Sequence, residues 1–188
     1  MQKRNKISTK HLVLDAVLIA LYVVLGFWKI PIGNILRINM ASFSVIIASV
    51  CFGPVHGLLV GFLGEFLSQI LGPYGLTPTT LLWAMPEAAR GLLLGCAVWM
   101  LTKKKFDPTK LTGKFTALYL LSCVVTGIIA SLLNTLALYV DSKMFGYYND
   151  YMVFGVLLVR LGIAIVLSGT LGYMAQVIAS ALRRNKFI

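Results

Sequence analysis

A chain of 188 residues with 59% hydrophobic and 12% charged side chains carries about half the charge of a soluble domain, and its mean hydropathy of +0.86 excludes a water-soluble fold of this size. The net charge of +11 does not mark a nucleic-acid binder, because the basic residues lie at the ends of apolar segments and not along one face. Cys51, Cys96 and Cys123 are odd in number, sit inside apolar runs and lack metal-ligand spacing, so they read as small buried side chains.

Crossing a bilayer takes about 20 predominantly apolar residues. On that measure the sequence predicts an all-α, polytopic membrane protein with six transmembrane helices, forming a single domain over residues 1–188. The first span covers about 12–28; it has no small-residue cleavage site and more spans follow, so a cleaved signal is not expected. The second covers about 38–52 and the third about 55–71, with Gly53-Pro54 turning the chain between them. Both are short, and a hairpin that fails to cross is the alternative. Gly72-Pro73-Tyr74-Gly75 marks the next turn, followed by spans over about 79–101, 115–140 and 151–182. Tyr147, Tyr148 and Tyr151 suit an interfacial aromatic belt.

Basic residues set the orientation. Lys3, Arg4, Lys6, Lys10, Lys103, Lys104, Lys105, Lys110, Lys114, Arg183, Arg184 and Lys186 fall on one side, against Lys29, Arg37 and Lys143 on the other. Twelve against three places both termini in the cytoplasm.

Charged groups inside spans are costly, roughly 2.5–3.5 kcal/mol each on insertion scales, and are functional candidates by default. Here they are Glu65, Glu87, Arg90 and Arg160, with Gln69 and Asn134 as uncharged company. At about 1.5 Å per residue, Glu87, Arg90 and Arg160 lie roughly 12–17 Å below the outer surface and Asn134 roughly 9 Å. Four helices thus put polar groups in the outer half of the membrane, the pattern of an outward-opening pocket. Trp83 and Tyr74 are candidates for its aromatic wall, and Arg37 for a lid contact. Structural alternatives stand beside each: a Glu87–Arg90 pair at i,i+3, a Glu65–Arg160 bridge, an interhelical Asn134 bond, interfacial anchoring for the aromatics and a solvated Arg37. Asp15 is placed where water is easily reached, and His56 reads as a turn histidine with no partner residue nearby in sequence. The carboxylates have no histidine or metal-binding companion, no phosphate loop is present, and neither catalysis nor a metal or cofactor is expected.

Ala16 and Ala20 share a face of the first span, a spacing that lets helices approach closely. Gly127 with Ser131 and Ala164 with Ser168 repeat it in the fifth and sixth. Docking to a partner and internal packing both remain open on spacing alone.

These features resemble the substrate-binding S-components of energy-coupling factor (ECF) vitamin transporters. Leu36-Arg37-Ile38-Asn39-Met40, Phe52-Gly53-Pro54-Val55-His56-Gly57 and Gly61-Phe62-Leu63-Gly64-Glu65 are similar to the folate-family branch. Leu76-Thr77-Pro78-Thr79-Thr80 departs from that branch, and Glu65 stands where it has Asp. The resemblance implies a subunit that captures a water-soluble vitamin from outside and works in the cell membrane with a transmembrane coupling subunit and two cytoplasmic ATPases. It also implies that Ala16 and Ala20 contact the coupling subunit. Folate is the first expectation for the substrate, with pantothenate or a pyrimidine or pyridine vitamin precursor as alternatives. A stand-alone proton-coupled transporter working through Glu65 or Glu87 is the competing class, although no inverted repeat supports it.

Overall fold

A chain this apolar has to satisfy its backbone N–H and C=O groups internally, and helices do so within each segment. The structure, a computed structural model, describes residues 9–28, 30–32, 36–73, 75–102 and 113–185, with backbone alone over 30–32 and 36–38. Among the described residues there are six α-helices: α1 Thr9–Phe27, α2 Ser42–Cys51, α3 Pro54–Ile70, α4 Thr80–Leu101, α5 Lys114–Met144 and α6 Leu157–Arg184. The all-α expectation is modified by a short antiparallel hairpin after α1, in which β1 Ile30–Ile32 pairs with β2 Leu36–Ile38 and Pro31 stands opposite Arg37. The sixth segment is not one continuous helix. It starts with a π-helical turn, Tyr151–Gly155, and Val156 interrupts the helix before α6 begins.

Four segments are long and apolar enough to cross a membrane: α1, α4, α5 and residues 151–184. At ten residues α2 is only about 15 Å long, half of a hydrocarbon core of about 30 Å. It is instead the buried centre of the bundle, since every residue of α2 except Phe43 is buried. Ile46, Ile47 and Val50 pack with Leu94 and Val98 of α4, Tyr119 and Cys123 of α5, and Leu171 and Ala175 of α6. Val45 and Ala48 pack the other way, with Tyr22 of α1 and Val60 of α3.

Small residues set the closest helix approaches. A Cβ on Gly57 would overlap the Gly91 carbonyl, one on Gly61 the Glu87 carbonyl, and one on Gly95 the backbone of Pro54. Helices α3 and α4 therefore lie backbone to backbone. Gly53, at φ 102°, takes the left-handed turn that L-residues avoid, and Pro54 starts α3 where no amide donor is needed. Gly127 of α5 meets Ser168 and the Ala164 carbonyl of α6, so those small residues serve internal packing.

Helix α1 is clasped to α3 at three levels. Asp15 and His56 meet in a 2.6 Å side-chain contact, the Tyr22 ring packs against Gly64, and Gly26 faces Ser68. One expectation is corrected here. Asp15 is only 5% exposed and does not reach for water; its partner is His56, distant in sequence and brought to it by the packing of α1 on α3.

Candidate functional site

The ends of the helices nearest the α2 and α4 N-termini enclose a cavity of about 460 Å³. Glu65 reaches it from the last turns of α3, held by two donors. The Tyr22 hydroxyl donates to Oε2 at 2.7 Å and the Gln69 amide to Oε1 at 2.7 Å. From the first turns of α4, Trp83, Pro86, Glu87 and Arg90 line the same space. Pro86 has no amide hydrogen, so the Leu82 carbonyl loses its intrahelical donor beside the cavity. Ser42, at the start of α2, donates to Glu87 Oε1 at 2.8 Å. Arg90 is only 6% exposed. It lies 3.7 Å from Glu87 Oε1 through Nη1 and donates to Ser168 Oγ at 3.1 Å through Nη2. Glu87 Oε2 and Arg90 Nε are buried without a hydrogen-bond partner among the described residues. A buried polar atom left unpaired costs free energy. Asn134 on α5 and Arg160 on α6 complete the polar lining, while Leu138, Ile163 and Leu167 make the wall between them apolar.

The structure thus brings together six residues singled out from the sequence: Glu65, Trp83, Glu87, Arg90, Asn134 and Arg160. Gln69 does not line the cavity but supports Glu65 from one turn further along α3. Tyr74 lies outside the described residues, as does the side chain of Arg37, whose backbone belongs to β2. The Glu87–Arg90 pair forms, whereas the alternative Glu65–Arg160 bridge is absent among the described residues. Sequence reasoning missed Tyr22, Ser42 and Ser168. Tyr22 follows Asp15 by seven residues, two helical turns on the same face, which was its one legible signal. The two serines carry no charge and blend into apolar or small-residue helices.

An apolar helical bundle with a charged cavity at one end defines a membrane protein built around a polar site. Its fold is similar to that of the S component of a bacterial ECF transporter, with a TM-score of 0.57 and 19% identity over 94% of each chain. It is also similar to the S-component for biotin from an ECF-type ABC transporter, with a TM-score of 0.59 and 20% identity over 98% of this chain and 95% of that one. At those identities the likeness is one of fold. Among curated relatives, a UPF0397 protein of Vibrio atlanticus (strain LGP32) is 27% identical over 124 residues, 65% of this chain and 66% of that protein. A UPF0397 protein of Streptococcus pneumoniae (strain CGSP14) is 32% identical over 93 residues, 48% of each. The chain thus spans about half to two thirds of the length of these relatives. The family model described as "ECF-type riboflavin transporter, S component" matches residues 6–184. The chain belongs to that family of membrane transport proteins. The model is described for riboflavin, whereas the resemblance in residues 36–65 pointed to the folate branch.

Proposed function

We propose that the chain is the substrate-binding subunit of an ECF-type vitamin importer, one unit over residues 1–188 in the cell membrane. In this reading the chain passes from side to side six times, the second pass being made by the buried α2 together with the residues before it; both termini are cytoplasmic and the cavity opens outward. A partner coupling subunit and two ATPases drive release. The basic-residue asymmetry supports the orientation, because the cavity lies at the end of the bundle poor in Lys and Arg. The ligand is a planar heteroaromatic vitamin with ring N–H donors.

One observation carries this reading: Glu65 and Glu87, both acceptors, line one cavity with Trp83, and the Tyr22 hydroxyl holds Glu65 there. Such a mix of a few placed polar groups and aromatic wall is the usual make-up of a small-molecule site. Carboxylates accept from ring N–H groups, and an indole such as that of Trp83 stacks on a flat ligand. A flavin fits this description, in keeping with the family model; so does the pterin of folate, in keeping with the residues around Gly53-Pro54 and Glu65. Pantothenate has no ring for Trp83 to cover.

The test is the ligand content of protein purified in mild detergent, read by denaturation and mass spectrometry. Stoichiometric flavin or pterin is the expected result. Recovery of pantothenate would reject the ring assignment, and uptake by the purified chain alone in proteoliposomes would replace the importer-subunit reading with the proton-coupled one.

A further inference from the structure

The chain has six acidic residues, and five belong to the described part. Asp15 is taken by His56, Glu65 by Tyr22 and Gln69, and Glu87 by Ser42 and Arg90. Asp141 accepts from Thr79 and Tyr147, and Asp150 from Tyr148. The sixth, Asp107, lies outside the described residues. None of the five is within ion-pair distance of Arg160. Arg160 is partly buried, lines the cavity, and has a single hydrogen-bond partner among the described residues, the Met152 carbonyl at 2.8 Å. That carbonyl belongs to the π-helical turn, so the arginine reaches back over the irregular start of its own segment. Turns of this kind recur at functional sites.

A cation in an apolar bundle with no counter-ion is unfavourable unless something supplies one. Guanidinium offers five N–H donors in a plane, and one is used among the described residues. Asn134, exposed on the same cavity, makes no hydrogen bond among the described residues. Arg90 is a poor second choice, since Glu87 and Ser168 already engage it.

We propose that Arg160, assisted by Asn134, is the anion-binding group of the cavity, and that the ligand carries a carboxylate or a phosphate ester there. This rests on the binding role proposed above and narrows it. Riboflavin itself has no anionic group, whereas folate has carboxylates and a phosphorylated flavin has phosphate. Paired charge-assisted bonds from one guanidinium to two oxygens are the strong, orientation-selective kind.

The experiment is a binding titration of the full chain in mild detergent against two matched pairs. Folate against its dimethyl ester reports carboxylate recognition; flavin mononucleotide against riboflavin reports phosphate recognition. The anionic member of one pair is expected to bind at least about tenfold more tightly to the wild type. Arg160→Gln should bring that ratio to within about threefold of one, and Arg160→Lys should restore part of it. If Arg160→Gln does not fold, the wild-type ratios and Arg160→Lys decide. The inference is overturned if the neutral member binds as well as the anionic one in both pairs, or if Arg160→Gln leaves the ratio intact. Tight binding of a neutral vitamin would sink the anion site and leave the binding role standing. Binding of no member of either pair would remove both.

Discussion

Glu65 shows how a carboxylate can be held ready inside an apolar bundle. Its two oxygens accept from donors on different helices, Tyr22 on α1 and Gln69 on α3, which fixes the plane of the carboxylate. Tyr22→Phe deletes one donor at a residue only 2% exposed. It should lower stability in detergent by about 1.5–3 kcal/mol, the range for hydrogen bonds to charged groups, and weaken ligand binding in the same preparation. Thermal melting and a titration on the variant check both. An unchanged melt would mean that Glu65 is held by other groups. The polar lining was legible at this scale because a charge within an apolar run is conspicuous: Glu65, Glu87, Arg90 and Arg160 all stood out. The hydroxyls that orient them, from Tyr22, Ser42 and Ser168, were not, because a hydroxyl costs little in any helix.

Helix packing was only partly readable. Small-residue spacing drew attention to α1, α5 and α6, yet the tightest approach is between α3 and α4, where Gly57, Gly61, Gly91 and Gly95 meet backbone. Gly91→Ala would push a methyl into the Gly57 carbonyl. The expected loss is on the order of 2 kcal/mol or more, from the overpacking of a site that cannot yield. Gly162→Ala, with open space around it, should gain about 0.5–1 kcal/mol through helix propensity alone. Melting curves of the two variants should move in opposite directions; equal shifts would count against the close approach. The interruption at Val156 escaped notice because hydropathy runs unbroken through residues 151–184, and a π-helical turn changes geometry without changing composition. The brevity of α2 was visible, but its burial on nearly all sides was not, since an apolar helix reads the same against lipid and against protein.

For the molecule as a whole, α1 has two faces with different duties. Asp15, Tyr22 and Gly26 are buried against α3, while Val13, Ala16, Val17, Ala20 and Val24 are exposed. In the proposed importer that outer stripe meets the coupling subunit. Ala16→Trp should then leave vitamin content of the purified chain unchanged and cut coupled uptake in cells by about tenfold or more; equal loss of both would place Ala16 in folding and not in docking. The α3–α4 contact also limits how this cavity can evolve. Gly61 rests on the carbonyl of Glu87 itself, so the acidic jaw cannot shift without prising two backbones apart. The opposite jaw is made of side chains, Ser131 and Leu138 on α5 with Ile163 and Leu167 on α6, which can be resized one at a time. Libraries randomised at those four positions should yield folded proteins with altered ring selectivity, while libraries across Gly57–Gly61 and Glu87–Gly91 should yield mostly unfolded ones. Cargo is exchanged on one wall, and the other serves as the anvil.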